Sequence, residues 1–215
     1  MTIANLARSR IVRLAALLTA ALALVGCDTY PVNYKYRLTL EVEADGKVHT
    51  GSSVVHVWVR ENAEFWGGMG GAHRGALGEA TVVELGDGRL LIALLTERED
   101  RITVWMPDNR KAPASRDLDP WELPLLVTFA DARDPKTVRE VDPTNLATSF
   151  GPGAKLLRAH VEAAEERPNG SILKHLPWLT TIGGRMLDGR KYSTRDAEYQ
   201  FANTWGSYNF ISPAP

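Results

Sequence analysis

The groups with chemistry to offer in this 215-residue chain are five histidines, a set of serines and acids, and one cysteine. Ser171-Ile172-Leu173-Lys174 fits S-x-x-K, in which a lysine one helical turn from a serine can take its proton. That chemistry also needs S-D-N and K-T-G elements, and the chain has neither. It has no G-x-S-x-G elbow: Gly51-Ser52-Ser53-Val54 lies inside a strand pattern, where glycine serves packing or a bulge. His49, His56, His73, His160 and His175 show none of the i, i+2 or i, i+4 spacings of common metal sites, so no metal is expected. Glu41 to Gly46 has a passing likeness to a calcium loop, but position twelve holds Ser52 where a bidentate Glu is needed. Trp66-Gly67-Gly68-Met69-Gly70-Gly71 has neither nucleotide-binding spacing nor a following Lys-Ser or Lys-Thr, so no cofactor is expected. A Ser/His/Asp set could still be assembled in space, where chain order carries no information.

The lone cysteine is the exception. Arg8, Arg10 and Arg13 precede an apolar run from Leu14 to Val25 broken only by Thr19. A charged region followed by an apolar region of this length is a secretory signal. The run ends in Leu24-Val25-Gly26-Cys27. These four residues resemble the lipobox of bacterial lipoproteins, which implies that Cys27 becomes the new N-terminus and carries diacylglycerol and an acyl chain such as palmitate. Each buried methylene contributes about 0.8 kcal/mol, so two or three chains would anchor the protein. Asp28 follows; in enterobacterial lipoproteins that residue resembles an inner-membrane retention signal. The expected location is the periplasmic face of the inner membrane, with the outer membrane as the alternative.

Composition bounds the rest. One cysteine excludes an intramolecular disulfide framework and multi-cysteine metal sites. The formal net charge is −1, with no basic field for nucleic acid. Removing residues 1–26 takes away three arginines and no acid, so 22 basic and 26 acidic residues leave −4.

Residues 27–35 are expected to be a tether, 36–182 a β-rich domain and 183–215 a partly ordered aromatic tail wrapping it. Leu38, Leu40 and Val42 alternate with Arg37, Thr39, Glu41 and Glu43, and Asp45-Gly46 turns the chain into Val55, Val57 and Val59. A second hairpin joins 80–85 to 89–95 through Asp87-Gly88; its second arm is apolar on both faces and should lie centrally. Ile102 to Trp105 and Leu125 to Phe129 suit further strands. Asp142-Pro143 and Gly151 bracket a short helix near 143–150. Propensity tips residues 154–167 towards helix, although Leu157, Ala159 and Val161 also alternate. The pattern predicts a mainly β, α+β fold: antiparallel β-hairpins forming one sheet or sandwich, with one or two short helices.

Tyr36 to Val59, Leu123 to Phe129, Val141-Asp142-Pro143 through Gly153 and Leu176-Pro177-Trp178-Leu179 resemble a family of uncharacterised proteobacterial proteins. No activity is implied by that resemblance, but it makes the segment after Gly153 strand-like. The expected role is therefore a lipid-anchored, non-enzymatic interaction or binding module at the cell envelope. Its partners would be the membrane, through Cys27, and an envelope protein or the cell wall. Trp66, Met69, His73 and Arg74 form the candidate contact loop. The alternatives are an envelope hydrolase with a spatially assembled Ser/His/Asp site, and a small-ligand carrier enclosing an apolar cavity.

Overall fold

The computed structural model describes residues 32–61, 72–96, 104–108 and 110–212. Strand β1 (Val32–Ala44) sets the geometry. Its residues alternate between buried and wetter positions along its whole length. It begins at Val32, inside the stretch read as a tether, because Val32 and Tyr34 continue the buried row. Asp45 and Gly46 both take positive φ (52° and 70°), the mirror-image turn that matches the twist of a two-residue hairpin. The chain then returns as β2 (Lys47–Glu61), paired with β1 from Ala44↔Lys47 to Val32↔Val59. Strand β3 (Ala72–Glu79) pairs with the other edge of β2.

Two antiparallel sheets result. The first runs β10-β3-β2-β1-β9-β6, where β6 is Arg116–Asp117, β9 is Lys155–Ala163 and β10 is Ile211–Ser212. The second runs β4-β5-β7-β8, comprising Thr81–Glu84, Leu90–Ala93, Leu126–Phe129 and Val138–Glu140. The dry face of the first sheet packs on one face of the second: Tyr36, Leu40, Val57 and Val161 share a cluster with Val83, Leu91 and Leu126. The other face of the second sheet is covered too. Ile92, Val127 and Phe129 meet Ile172, Leu176, Trp205 and Phe210 in a second cluster. Strand β5 is therefore buried on both faces, as its unbroken apolar run predicts.

The covering layer consists of the short helices α2 (Ile172–His175) and α3 (Gln200–Thr204) and single 3₁₀ turns. The main chain near the C-terminus is stitched to the second sheet: Ala80 N–H donates to Phe210 O at 2.7 Å and Leu95 N–H to Asn209 O at 2.8 Å. Residues 200–212 are thus core-forming, since Trp205 and Phe210 supply the apolar lid that β4, β5 and β7 need. Helix α1 (Ala147–Phe150) is shorter than the stretch predicted from Asp142. Asp142 spends its carboxylate on Thr144, accepting from its N–H at 2.8 Å and its hydroxyl at 2.6 Å, so the chain turns before the helix begins.

Residues 155–163 are the main correction: they form β9, not helix. Helix propensity differs between such residues by only tenths of a kcal/mol, and the free edge of β1 offers a full ladder of hydrogen bonds. A bulge at Glu41/Val42 resets the alternation, so Leu156 faces the core and Leu157 stands 43% exposed.

The sheets approach closely at Gly51. A Cβ there would lie 1.9 Å from Val82 O, so only glycine fits. Beside it the buried hydroxyls of Ser53 and Thr81 bond at 2.7 Å. Gly51→Ala must push the sheets apart; a cost of about 3 kcal/mol should lower Tm by about 6–12 °C, readable by calorimetry.

Tyr34 is buried on β1 and donates to Asp108 O at 2.9 Å. Burial pushes its phenol pKa up to about 12. The folded state holds this proton more tightly than the unfolded chain, whose tyrosine titrates near 10, so stability falls as pH rises from about 10 to 12. Chemical denaturation at pH 9 and pH 11 should show a smaller alkaline loss in Tyr34→Phe than in the native chain.

Candidate functional site

The dry face of the six-stranded sheet is spent on the core, so chemistry is left to the wet face. There the register lines up Ser52, Thr39, His160 and Asp117 as a cross-strand row over β2, β1, β9 and β6. Directly opposed residues in antiparallel strands share a face, about 5 Å apart. Ser115 lies two residues before Asp117, in the bend that leads into β6.

The side chains meet. Asp117 Oδ1 lies 2.6 Å from His160 Nδ1, and Ser115 Oγ lies 3.1 Å from His160 Nε2. Arg158 Nε donates to the same Asp117 oxygen at 2.8 Å, and its Nη2 stands 3.0 Å from His160 Nδ1. Hydrogen bonds from His160, then from Arg158, hold the Asp117 carboxyl below its ordinary range, so it is ionised near neutral pH.

That settles the ring's tautomer. An ionised carboxylate oxygen has no proton to offer, and two lone pairs at 2.6 Å repel. The proton must therefore sit on Nδ1 and be donated to Asp117. Arg158 Nη2 then lies against a nitrogen that has no lone pair to give. Nε2 keeps its lone pair and accepts from the Ser115 hydroxyl. In the neutral ring the order is hydroxyl, imidazole, carboxylate. Exposure distinguishes it from buried examples: the His160 side chain is 18% exposed, whereas that of Asp117 is 59% exposed.

A second feature lies towards the opposite edge of the sheet. His56, Glu79, Arg167, Asn169 and Ile211 help line a groove of about 420 Å³. His56 Nε2 meets Asn33 Oδ1 at 2.6 Å, and burial, then the charge of Lys35, lowers its pKa. Glu79 is committed structurally, accepting from Ile172 N–H at 2.9 Å. The groove is open, unlike the enclosed apolar cavity expected of a ligand carrier.

Cys27, Asp28, Trp66 and Met69 lie outside the described residues. His73 and Arg74 are exposed, but on strand β3 and not on a loop: Arg74 pairs with Val59 and Gly75 with Trp58. Gly75 belongs to the strand because the Trp58 ring lies over it, and a Cβ there would meet Cζ2 at 2.3 Å. These residues are kept from His160 by β2 and β1, about 14 Å across the sheet, and by about 23 Å along it, since Arg74 is level with Val32 and His160 with Thr39. Ser171 and Lys174 are not joined in a relay; α2 instead seats Ile172 and Leu176 in the second core, and Lys174 is exposed. Among the described residues no group of three His, Cys, Asp or Glu could hold a metal ion. No known family, curated protein or solved structure matches the chain.

Sequence reasoning missed Ser115 and Asp117. Their S-x-D spacing acquires meaning only once 155–163 is a strand that presents His160 to them. The tautomer is testable. ¹⁵N NMR of histidine-labelled protein at neutral pH should assign the bare ring nitrogen of His160 to Nε2. In Asp117→Asn the proton is expected to move to Nε2, with Arg158 then donating to Nδ1.

Proposed function

We propose that the protein is a lipid-anchored periplasmic protein whose β-rich body is an interaction or binding module at the cell envelope. The observation that carries the anchor is Leu24-Val25-Gly26-Cys27, closing an apolar run behind three arginines and containing the chain's one cysteine. The start of β1 at Val32 supports it. Four residues separate Cys27 from Val32, five steps with a contour of at most about 18 Å, so the acylated chain would hold the sheet beside the bilayer. With −4 on the mature body, the lipid would be the attachment and not a basic surface.

The module reading draws on the edge of β3. Among the described residues, β10 pairs only with Gly78 and Glu79 of β3. Among the described residues the outer edge from His73 to Leu77 thus has no strand partner, and it offers main-chain groups to an extended segment of another protein. The exposed His73 and Arg74 flank that edge.

Cells fed alkyne-palmitate should label the native protein in the membrane fraction, and Cys27→Ser should lose the label and leave the membrane. Asp28→Ser should move the labelled protein from the inner to the outer membrane on density fractionation. An unlabelled native protein would overturn the anchor. A photo-crosslinker replacing Arg74 should capture a discrete envelope protein; capture equal to that from a crosslinker at exposed Lys111 would overturn the edge as the contact.

A further inference from the structure

We propose that Ser115 is a nucleophile, activated by His160 with Asp117 as its positioning residue, and that this site cleaves short-chain acyl esters carried on a hydroxyl-rich molecule. The proposal does not rest on the lipid anchor. It replaces the expectation of a non-enzymatic body, which was drawn from the lack of a linear catalytic motif.

Three observations carry it. First, Ser115 Oγ and His160 Nε2 are at hydrogen-bond distance, 3.1 Å, and Ser115 is exposed, so a carbonyl carbon can reach the hydroxyl. Second, the Asp117 contact at 2.6 Å fixes the tautomer in which Nε2 can accept that hydroxyl's proton. Third, His160 and Asp117 are opposed on the paired strands β9 and β6, so their contact is held by the main chain, and Ser115 lies in the bend immediately before β6.

The chemistry balances. Ser115 Oγ attacks the ester carbonyl carbon as its proton passes to Nε2. The carbonyl carbon–alkoxy oxygen bond breaks, and the departing alcohol takes the proton from Nε2. Water then attacks the acyl-serine, giving one proton to Nε2. The bond to Ser115 Oγ breaks, Oγ recovers that proton, and the carboxylic acid leaves. Ester and water become acid and alcohol. Asp117 stays ionised throughout and stabilises the charge that His160 carries between the steps.

The surroundings choose the substrate class. The wet face beside Ser115 and His160 presents Arg158, Glu41 and the hydroxyl of Thr39, with Ser52 one strand beyond. These groups suit the hydroxyls of a polar alcohol, and Leu157, turned outward beside Arg158, is a single apolar side chain that covers little of a long acyl chain. The acyl group is therefore short.

The test uses the full-length protein extracted in detergent. A fluorophosphonate probe should add to Ser115, located by peptide mapping. Ser115→Ala should abolish labelling at that position. His160→Gln should slow it by at least about 100-fold, the usual contribution of a general base. Ser171→Ala, at the S-x-x-K serine, should label like the native chain. Asp117→Asn should slow labelling and also move the His160 ring proton in the ¹⁵N spectrum, a change that mere loosening of the fold would not produce. Equal melting curves for the variants establish that they fold. 4-Nitrophenyl acetate should be hydrolysed faster than 4-nitrophenyl octanoate, with the activity lost in Ser115→Ala. Labelling of Ser115 no faster than of Ser171, or unchanged in His160→Gln, would overturn the nucleophile; preference for the octanoate would overturn the short-acyl assignment. Palmitate on Cys27 is read separately, so either proposal can fail alone.

Discussion

The strict alternation of β1 is the constraint on which the rest depends. Val32, Tyr34, Tyr36, Leu38, Leu40, Val42 and Ala44 are all buried, and the residues between them are not. A strand of this kind tolerates no slip in register, because a one-residue shift would expose the whole apolar row. It therefore fixes β2 on one side and β9 on the other. Once both are fixed, the opposite face is fixed as well. Thr39, His160 and Asp117 come into line because Leu40, Ala159 and Val161 are committed to the core. The His160–Asp117 pair is a by-product of core packing with the precision of the β ladder, and Ser115 is delivered to it by the bend before β6.

The second sheet explains the chain's economy of helix. A four-stranded antiparallel sheet buried on both faces needs an apolar layer on each side. The six-stranded sheet supplies one. The chain supplies the other from short turns after Gly170, each contributing one or two large side chains: Ile172 and Leu176, Leu179, Leu187, Trp205, Phe210. Phe129 shows how this layer is keyed in, with Trp178 edge-on at 5.7 Å and Phe210 tilted at 6.0 Å. Trp178 Nε1 also donates to Ala132 O at 2.7 Å, tying the layer back to the strand end. Sequence patterns spread over five such fragments carry no periodicity, and for that reason residues 183–215 read as a tail.

What was legible in the sequence followed a simple physical rule. Segments whose fate depends on their own pattern could be read: the first hairpin with its Asp45-Gly46 turn, the doubly apolar β5, the β7 strand and the Gly151 stop after α1. Segments whose fate depends on a distant neighbour could not. Lys155 to Ala163 became a strand because β1 had a free edge, and the bulge that turned Leu157 outward has no sequence signature of its own. His73 to Gly75 became strand because Trp58 needed a flat glycine beneath it. Ser115 and Asp117 were invisible for the same reason: their partner is 43 to 45 residues away, on the segment whose assignment was least determined.

The two proposals constrain one another through β1. Thr39 marks the level of the Ser115–His160 pair on the strand, and it lies twelve residues after Cys27. At no more than about 3.6 Å per residue, the chain between the lipid and this level of β1 spans at most about 43 Å, and the site lies one to two strands, about 5–10 Å, further across the sheet. An anchored protein with this site could act only on esters held near the bilayer, not on material free in the bulk of the envelope. Tethering raises the local concentration of the site over that shell, so an open catalytic face with few binding contacts need not hold its substrate tightly. A weakly binding, exposed site and a short lipid tether are in this sense complementary: proximity to a surface-bound ester supplies what a deep pocket would otherwise provide.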